Sequence, residues 1–469
     1  MMREEKLTLR IKRILLVFGI LFVFVTLYLL YFSLFKAKKV ADNSYNQRLT
    51  QDADRIVRGK IYDRNGEVLA SNNTDENGNP VRFYAYPRIY SHILGYSSKK
   101  YGKTGLERTL NKTLLGIEDT PISEIMGWIE NNSVGNDVAL TIDTNAQMTA
   151  YNLLEGHIGA AVAMNPQTGE IYAMASRPTF NPNDLENEWE TYLEDESAPL
   201  LPRATQGLYT PGSVFKIITA TAVAEDPSID ETYTDTGELV VEGYTIRNYD
   251  EKSYGDVDLT DAIANSINTY FGQKAIDLGG AKMDAVCKRF GFGSEIPFEL
   301  PIASSVSGFS SSSQKVDIAQ GGYGQGTTLV TPIEMALATS AIAAGGTMPV
   351  PTLVRAVMTP DGNILRTMRP RAYATVTDAR SAAKVTQAME AMAMNSYAAI
   401  PGVRVAGKSG TAETTSGKTH AWFVAFAPVE NPRVAVAVVL EEDGTFGAVT
   451  AAPIARDLIQ TILNNIPEE

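Results

Sequence analysis

The sequence predicts an α+β protein carried on one membrane-spanning helix, with a small N-terminal domain ahead of a larger mixed domain. Three observations predict this. An uncharged apolar run lies near the N-terminus, short segments of β-type alternation are separated by turn residues, and longer segments of helical pattern share the remaining chain. The 469 residues, 44% hydrophobic and 20% charged, suffice for about two or three domains with a packed core.

The first element is Ile14 to Phe35, 22 residues without a charge. A helix of that length, at ~1.5 Å per residue, crosses the hydrocarbon core of a bilayer. It is long for a cleaved signal, and no small-residue cleavage site follows it. Arg3, Lys6, Arg10, Lys12 and Arg13 precede it, against Lys36, Lys38 and Lys39 after it. That imbalance favours a short cytoplasmic tail (1–13), an anchor (14–35) and a chain lying outside the cytoplasmic membrane.

Residues 36–135 are expected to form the small domain. A polar connector occupies 40–57. In Arg58-Gly-Lys-Ile-Tyr-Asp-Arg-Asn-Gly-Glu-Val-Leu-Ala70, Asn65-Gly66 between alternating residues reads as a β-hairpin. The Asn-rich stretch 71–82 reads as a loop, and 101–116 holds a short helix.

The larger domain, 136–469, opens with a strand at Val138–Ile142 and a helix at Asn145–Leu154. Ile158–Met164 and Glu170–Ala175 flank the turn Asn165-Pro-Gln-Thr-Gly169 as a second hairpin. The acidic stretch 181–200 is expected as a surface excursion. Pro211-Gly212 leads sharply into a buried helix from Ser213 to Val223. One helix is expected over Leu259–Leu278, a serine-rich loop over 304–313 and a helix over Thr331–Ala343. Strands follow at Val403–Thr411, Ala421–Ala427 and Arg433–Glu441, and an amphipathic helix at Thr450–Ile466.

Composition narrows the function. A net charge of −13 argues against nucleic acid as a partner, since a phosphate-binding surface is basic. The single cysteine, Cys287, permits no intrachain disulfide and reads as a buried structural thiol. Three scattered histidines, His92, His157 and His420, lack metal-ligand spacing, so neither a metal nor a cofactor is expected.

Three short patterns carry chemistry: Ser213-x-x-Lys216, Ser266-x-Asn268 and Lys408-Ser409-Gly410. Singly each is weak, because Ser-x-x-Lys occurs five times in the chain. Ser33 lies in the anchor, Ser97 and Ser312 lie in polar stretches, and Ser381 lacks the other two patterns in order after it. Only Ser213 opens a buried helix and is followed by both. Helical residues three apart share a face, so Lys216 can reach the Ser213 hydroxyl. A serine hydroxyl needs a base, and a lysine amine serves if burial and a neighbouring cation lower its pKa. Lys408 is the candidate cation. Ser266 can relay a proton, and Asn268 can orient a peptide amide. On the strand, Gly410 leaves room for substrate, and Lys408 with the Ser409 and Thr411 hydroxyls can hold a terminal carboxylate. The bland alternatives are a snorkelling Lys216 and local capping by Ser266 and Asn268.

These motifs resemble the penicillin-binding protein transpeptidases, in particular the monofunctional, bitopic class B branch. The resemblance runs through RGKIYDRNGEVLA (58–70), TGLERTLNKTLLG (104–116), VALTID (138–143), GAAVAMNPQTGEIYAMASRPTFNPN (159–183), TPGSVFK (210–216), GQGTTLVTPIEMA (324–336), GKSGTAE (407–413) and AWFVAFAP (421–428). It implies a five-stranded antiparallel sheet flanked by helices, the serine β-lactamase-like architecture. It implies that Ser213 is acylated by peptidoglycan stem peptides and by β-lactam antibiotics, with Lys216 as the base. It also implies an oxyanion hole formed by the backbone N–H groups of Ser213 and Thr411, and a SEDS-family glycan polymerase as membrane partner. Ser409 stands where Thr is commoner, and the N-terminal domain is short for this branch. A D,D-carboxypeptidase, a β-lactamase and a non-catalytic β-lactam-binding scaffold are the competing readings. The retained anchor and the RGKIYDRNG segment speak against the β-lactamase, and the intact motifs against the scaffold.

Overall fold

A computed structural model describes residues 2–36 (backbone alone for 2–11), 56–76, 78–117, 134–394 and 396–467. Helix α1 (Met2–Tyr31) runs into a π-helical turn, Phe32–Lys36. Among the described residues, Lys12–Lys36 is the one helix long and apolar enough to cross a membrane. Its large apolar side chains are exposed, Phe22 by 72%. The connector expected over 40–57 lies outside the described residues as far as 55.

Six strands form the first sheet: β1 (Ile61–Tyr62), β2 (Val68–Thr74), β3 (Pro80–Tyr84), β4 (Asp137–Leu140), β7 (Val354–Met358) and β8 (Ile364–Thr367), in the order β8-β7-β4-β1-β2-β3. The sheet therefore takes strands from both sides of residue 136. The hairpin turn is where Asn65-Gly66 placed it. Asp63 Oδ1 accepts from the backbone N–H of Asn65 and of Glu67, both at 2.8 Å, and Gly66 takes a positive φ of 89°. Residues 71–82 are not a loop. They finish β2 and begin β3 around a turn in which Asn79 N donates to Asp75 Oδ1 at 2.8 Å. Asparagine is a poor strand former, but pairing along the sheet overrides that preference. Glu107 is fully buried between two guanidinium groups, Arg58 at 2.7 Å and Arg82 at 2.6 Å, and ties the short helices of 105–115 to this sheet. Removing the Glu107 carboxylate would leave two buried guanidinium groups without their counter-ion, at a cost of about 3–5 kcal/mol.

The second sheet has five antiparallel strands: β5 (Gly159–Met164), β6 (Ile171–Arg177), β9 (Ala406–Glu413), β10 (Thr419–Ala427) and β11 (Val434–Leu440), in the order β9-β10-β11-β5-β6. Alternate residues of each strand feed opposite faces. Along β11, Val434, Val436, Val438 and Leu440 pack with helices α2 (Thr144–Leu153) and α8 (Ala451–Asn465). Ala435, Ala437 and Val439 face the other way, toward α3 (Lys216–Glu225), α6 (Pro332–Ala343) and α7 (Ala379–Ala393). Both faces are covered, so all seven residues of β11 are buried and its alternation is one of size rather than polarity. Each large apolar side chain buried in this way contributes about 1.5–3 kcal/mol. Among the described residues β9 lies at the sheet edge, with one side unpaired by any strand.

Two expectations near the site are corrected. The helix expected over 259–278 is two helices, α4 (Leu259–Ala264) and α5 (Asn268–Leu278). They break at Asn265–Ile267, where Ser266 adopts the left-handed region at φ 57°. Ser213 also does not sit in the α-helix. It lies in a 3₁₀ turn, Gly212–Phe215, and α3 begins at Lys216. A 3₁₀ turn brings residues three apart almost into line, so Ser213 and Lys216 still share a face. Away from the site, the excursion at 181–200 contains a helix, Leu185–Glu194.

Candidate active site

Close backbone packing holds the Ser213 turn. Gly212 takes a φ of 56°, and its N–H donates to Gly324 O at 2.8 Å. A Cβ on Gly324 would lie 2.0 Å from Gly212 O, so that contact requires glycine. On the other side of the turn lies β9. A Cβ on Gly410 would meet Pro211 O and Val214 Cγ1, each at 3.0 Å. The fully buried Trp422, opposite Gly410 on β10, donates from Nε1 to Thr210 O at 3.0 Å. The turn is thus clamped against the edge strand. The Ser213 side chain is half-buried and has no hydrogen-bond partner among the described residues.

The two lysines are both fully buried and converge on the break between α4 and α5. Lys216 Nζ donates to Ser266 O at 2.7 Å and to Asn268 Oδ1 at 2.7 Å, and lies 3.1 Å from Ser266 Oγ. Lys408 Nζ donates to Ser266 Oγ and to Ser409 O, both at 2.9 Å. The left-handed backbone of Ser266 turns its carbonyl oxygen, as well as its hydroxyl, toward Lys216. A continuous helix would have committed that oxygen elsewhere. The Asn268 amide spans the gap, with Oδ1 on Lys216 and Nδ2 donating to Arg247 O at 2.9 Å.

Neither lysine has a carboxylate partner in its bonding set, and water is excluded from both. Burial, with the Lys408 charge as the second cause, holds the Lys216 amine well below the usual lysine range. Burial pushes Lys408 down to about 7. Both causes favour the neutral amine on Lys216. Its two remaining N–H bonds then serve Ser266 O and Asn268 Oδ1, and its lone pair is left for a hydroxyl. Such an arrangement can take a proton from a serine without a histidine.

The eight candidate residues are brought together to different degrees. Lys216, Ser266, Asn268 and Lys408 touch directly. Ser213, Gly410 and Thr411 meet through the clamped turn, where a Cβ on Gly212 would lie 2.7 Å from Thr411 O. A strand residue directs its N–H and C=O to the same side, so the Thr411 amide edge faces the Ser213 turn. The Ser409 and Thr411 side chains are half-buried, on alternate positions to Lys408 and Gly410. Ser409 reaches Lys408 through its carbonyl oxygen. Sequence reasoning missed Gly324 and Trp422 as supports of the turn, although both lie in segments that carry the resemblance, 324–336 and 421–428. Cys287 is buried, and burial raises its thiol pKa far above neutrality.

A five-stranded antiparallel sheet with helices on both faces, a serine at a helix start and two buried lysines beside an edge strand define the class of active-site-serine, penicillin-recognising proteins. The profile described as penicillin binding protein transpeptidase domain matches residues 159–460, and that of the penicillin binding protein A dimerisation domain matches 58–138. The chain belongs to the penicillin-binding protein transpeptidase family. It is 32% identical over 465 residues to peptidoglycan D,D-transpeptidase PbpA of Mycolicibacterium smegmatis, covering 92% of this chain and 94% of that one. It is similar to penicillin-binding protein A from M. tuberculosis in its ceftriaxone acyl-enzyme complex. The TM-score there is 0.82 at 29% identity, over 88% of this chain and 99% of that one. A D,D-transpeptidase domain from Eggerthella lenta gives a TM-score of 0.80 at 33% identity, over 87% and 99% of the two chains.

Proposed function

We propose that this chain is a membrane-anchored peptidoglycan D,D-transpeptidase, acylated at Ser213 by stem peptides and by β-lactams. The observation that carries the reading is the convergence of two buried lysines on the Ser266 hydroxyl beside the Ser213 turn. Its similarity to a peptidoglycan D,D-transpeptidase, and to a penicillin-binding protein seen as a ceftriaxone acyl-enzyme, supports it.

In this reading Ser213 Oγ attacks the carbonyl of the penultimate D-alanine, and its proton passes to neutral Lys216. The developing oxyanion is received by the backbone N–H groups of Ser213 and Thr411. Losing one such donor costs about 100–1000-fold in rate. The C–N bond breaks, and terminal D-alanine leaves as the amine, taking a proton returned through Lys216 and Ser266. An acceptor amine from a second stem then attacks the ester, and Ser213 recovers its proton. Lys408, Ser409 and Thr411 hold the terminal carboxylate, Gly410 admits the peptide against the unpaired edge of β9, and Asn268 orients the substrate amide.

The test supplies purified protein with a donor pentapeptide and an acceptor amine. Transfer of the acyl group to the amine, lost in Ser213→Ala, is the expected result. Hydrolysis without transfer would make the protein a D,D-carboxypeptidase.

The same reading places α1 across the cytoplasmic membrane with its N-terminus inside, since stem peptides lie in the wall. A cysteine at exposed Asn73 is then labelled by an impermeant thiol reagent in intact spheroplasts. Labelling only after lysis reverses the topology. The partner in the membrane is a SEDS-family glycan polymerase, touched by α1 and the RGKIYDRNG segment. Replacing residues 14–35 with an unrelated membrane helix weakens cross-linking in cells while leaving penicillin acylation intact. Unchanged cross-linking reduces the helix to a tether.

A further inference from the structure

Asp235 is a carboxylate that no step above uses, and it is only 1% exposed. Among the described residues no cation pairs with it. Neutral donors surround it instead. Oδ1 accepts from Thr269 Oγ1 at 2.6 Å, from Asn248 Nδ2 at 3.0 Å and from Gly237 N at 3.1 Å. Oδ2 accepts from Tyr254 N at 2.8 Å and from Asn248 Nδ2 at 2.9 Å. Both oxygens face only donors, so the side chain acts here as an acceptor at every contact.

Two of those donors belong to the immediate neighbours of the Asn268 amide contacts. Thr269 follows Asn268 at the start of α5, and its N–H donates to Asn248 Oδ1 at 3.1 Å. Asn248 follows Arg247, whose carbonyl oxygen accepts from Asn268 Nδ2 at 2.9 Å. Fixing the Asn248 side chain therefore fixes the peptide unit that holds one end of the Asn268 amide, and fixing Thr269 holds its backbone. Arg247 O can only accept, so Nδ2 must face it. That leaves Oδ1 for Lys216, at 2.7 Å.

We propose that Asp235 is a positioning residue for acylation: through Asn248 and Thr269 it locks the Asn268 amide with its oxygen toward Lys216. The inference rests on the reading of Lys216 as the base for Ser213. Asp235 itself lies behind the site and reaches no substrate. If the amide were free to turn, its NH₂ would face the Lys216 amine, a donor would oppose a donor, and the base would lose an acceptor that sets its direction. Asp235→Asn is the sharp perturbation. It keeps the shape, but its own NH₂ would have to face one of two oxygen positions that meet only donors.

The test measures second-order acylation by a fluorescent penicillin, with detergent-solubilised full-length protein. The variants are Asp235→Asn, Thr269→Val, Asn268→Ala and the two doubles with Asn268→Ala. The expected result is that Asp235→Asn and Thr269→Val each slow acylation by about tenfold or more, the size of one lost oriented hydrogen bond. Neither should slow it further once Asn268 is alanine. The acid limb of the acylation–pH profile should move to lower pH in Asp235→Asn, because an ammonium on Lys216 loses its carbonyl acceptor. Thr269→Val, the milder change, keeps the test open if Asp235→Asn does not fold. Wild-type rates in both single variants, or the same slowing in both backgrounds, would overturn the proposal and make Asp235 a residue of the fold alone. Acylation that persists in Ser213→Ala would instead overturn the underlying reading of the site, so the two failures are distinguishable.

Discussion

Lys216 and Lys408, on different elements, meet at one oxygen: Ser266 Oγ lies 3.1 Å from the first amine and 2.9 Å from the second. Two buried cations cannot both keep their protons there cheaply. Acylation by a β-lactam should therefore rise with pH as Lys216 becomes neutral. The Lys408 charge is one cause that lowers the Lys216 pKa, so its removal in Lys408→Met lets Lys216 keep its proton longer. The acid limb of the acylation profile moves to higher pH in that variant. A limb that stays in place would remove Lys408 as the tuning cation.

The two lysines should differ in their tolerance of arginine. Arginine keeps a charge but does not deprotonate in a protein. Lys216→Arg should abolish acylation as fully as Lys216→Ala. Lys408→Arg should retain measurable acylation, since it still offers a cation. Second-order penicillin labelling of the four variants checks this, and equal tolerance at both sites would refute the division of roles.

Gly324 supports the Ser213 turn at a distance from the chemistry. Its φ of 81° and the 2.0 Å approach of a hypothetical Cβ to Gly212 O leave no room for a side chain. Gly324→Ala should cost about 1–3 kcal/mol in stability from strain and slow acylation by displacing the turn. Thermal melts and labelling rates should fall together. A variant that loses stability but labels at the wild-type rate would uncouple the glycine from the site.

Glu334, near the start of α6, is 1% exposed, and its Oε1 has no hydrogen-bond partner among the described residues. Burial pushes its carboxyl up from 4.5 to about 8. The folded state therefore favours the protonated form. The stability this gives is fully present below the unfolded pKa and is lost as pH rises toward 8. The penalty reaches about 3 kcal/mol at pH 7. Glu334→Gln has no charge to desolvate. Its melting temperature should exceed that of wild type at pH 7–8 and approach it at pH 4–5, as calorimetry would show. Parallel pH curves for the two proteins would contradict this.

What was legible in the sequence follows from how local each signal is. Asn65-Gly66 and Asn165-Pro-Gln-Thr-Gly169 are complete turn instructions, and both hairpins form where they stand. Val434–Leu440 carries a strand signal in its own residues. By contrast, nothing near Ser266 says that the helix must break there, because the break is set by Lys216 and Lys408 arriving from distant elements. The strands within 71–82 are likewise invisible without the sheet that pairs them. Asp235 lies 33 residues before Asn268 in sequence. Its role as a hub depends on a hairpin and a loop folding back onto the start of α5.

The central claim is that Ser213, and no other serine, carries the acyl group. The direct measurement is proteolysis of the β-lactam-treated protein, followed by mass spectrometry of the modified peptide. The account predicts a single adduct on the Thr210-Pro-Gly-Ser213 segment, lost in Ser213→Ala with the fold retained. An adduct on Ser266, Ser381 or Ser409 would contradict it.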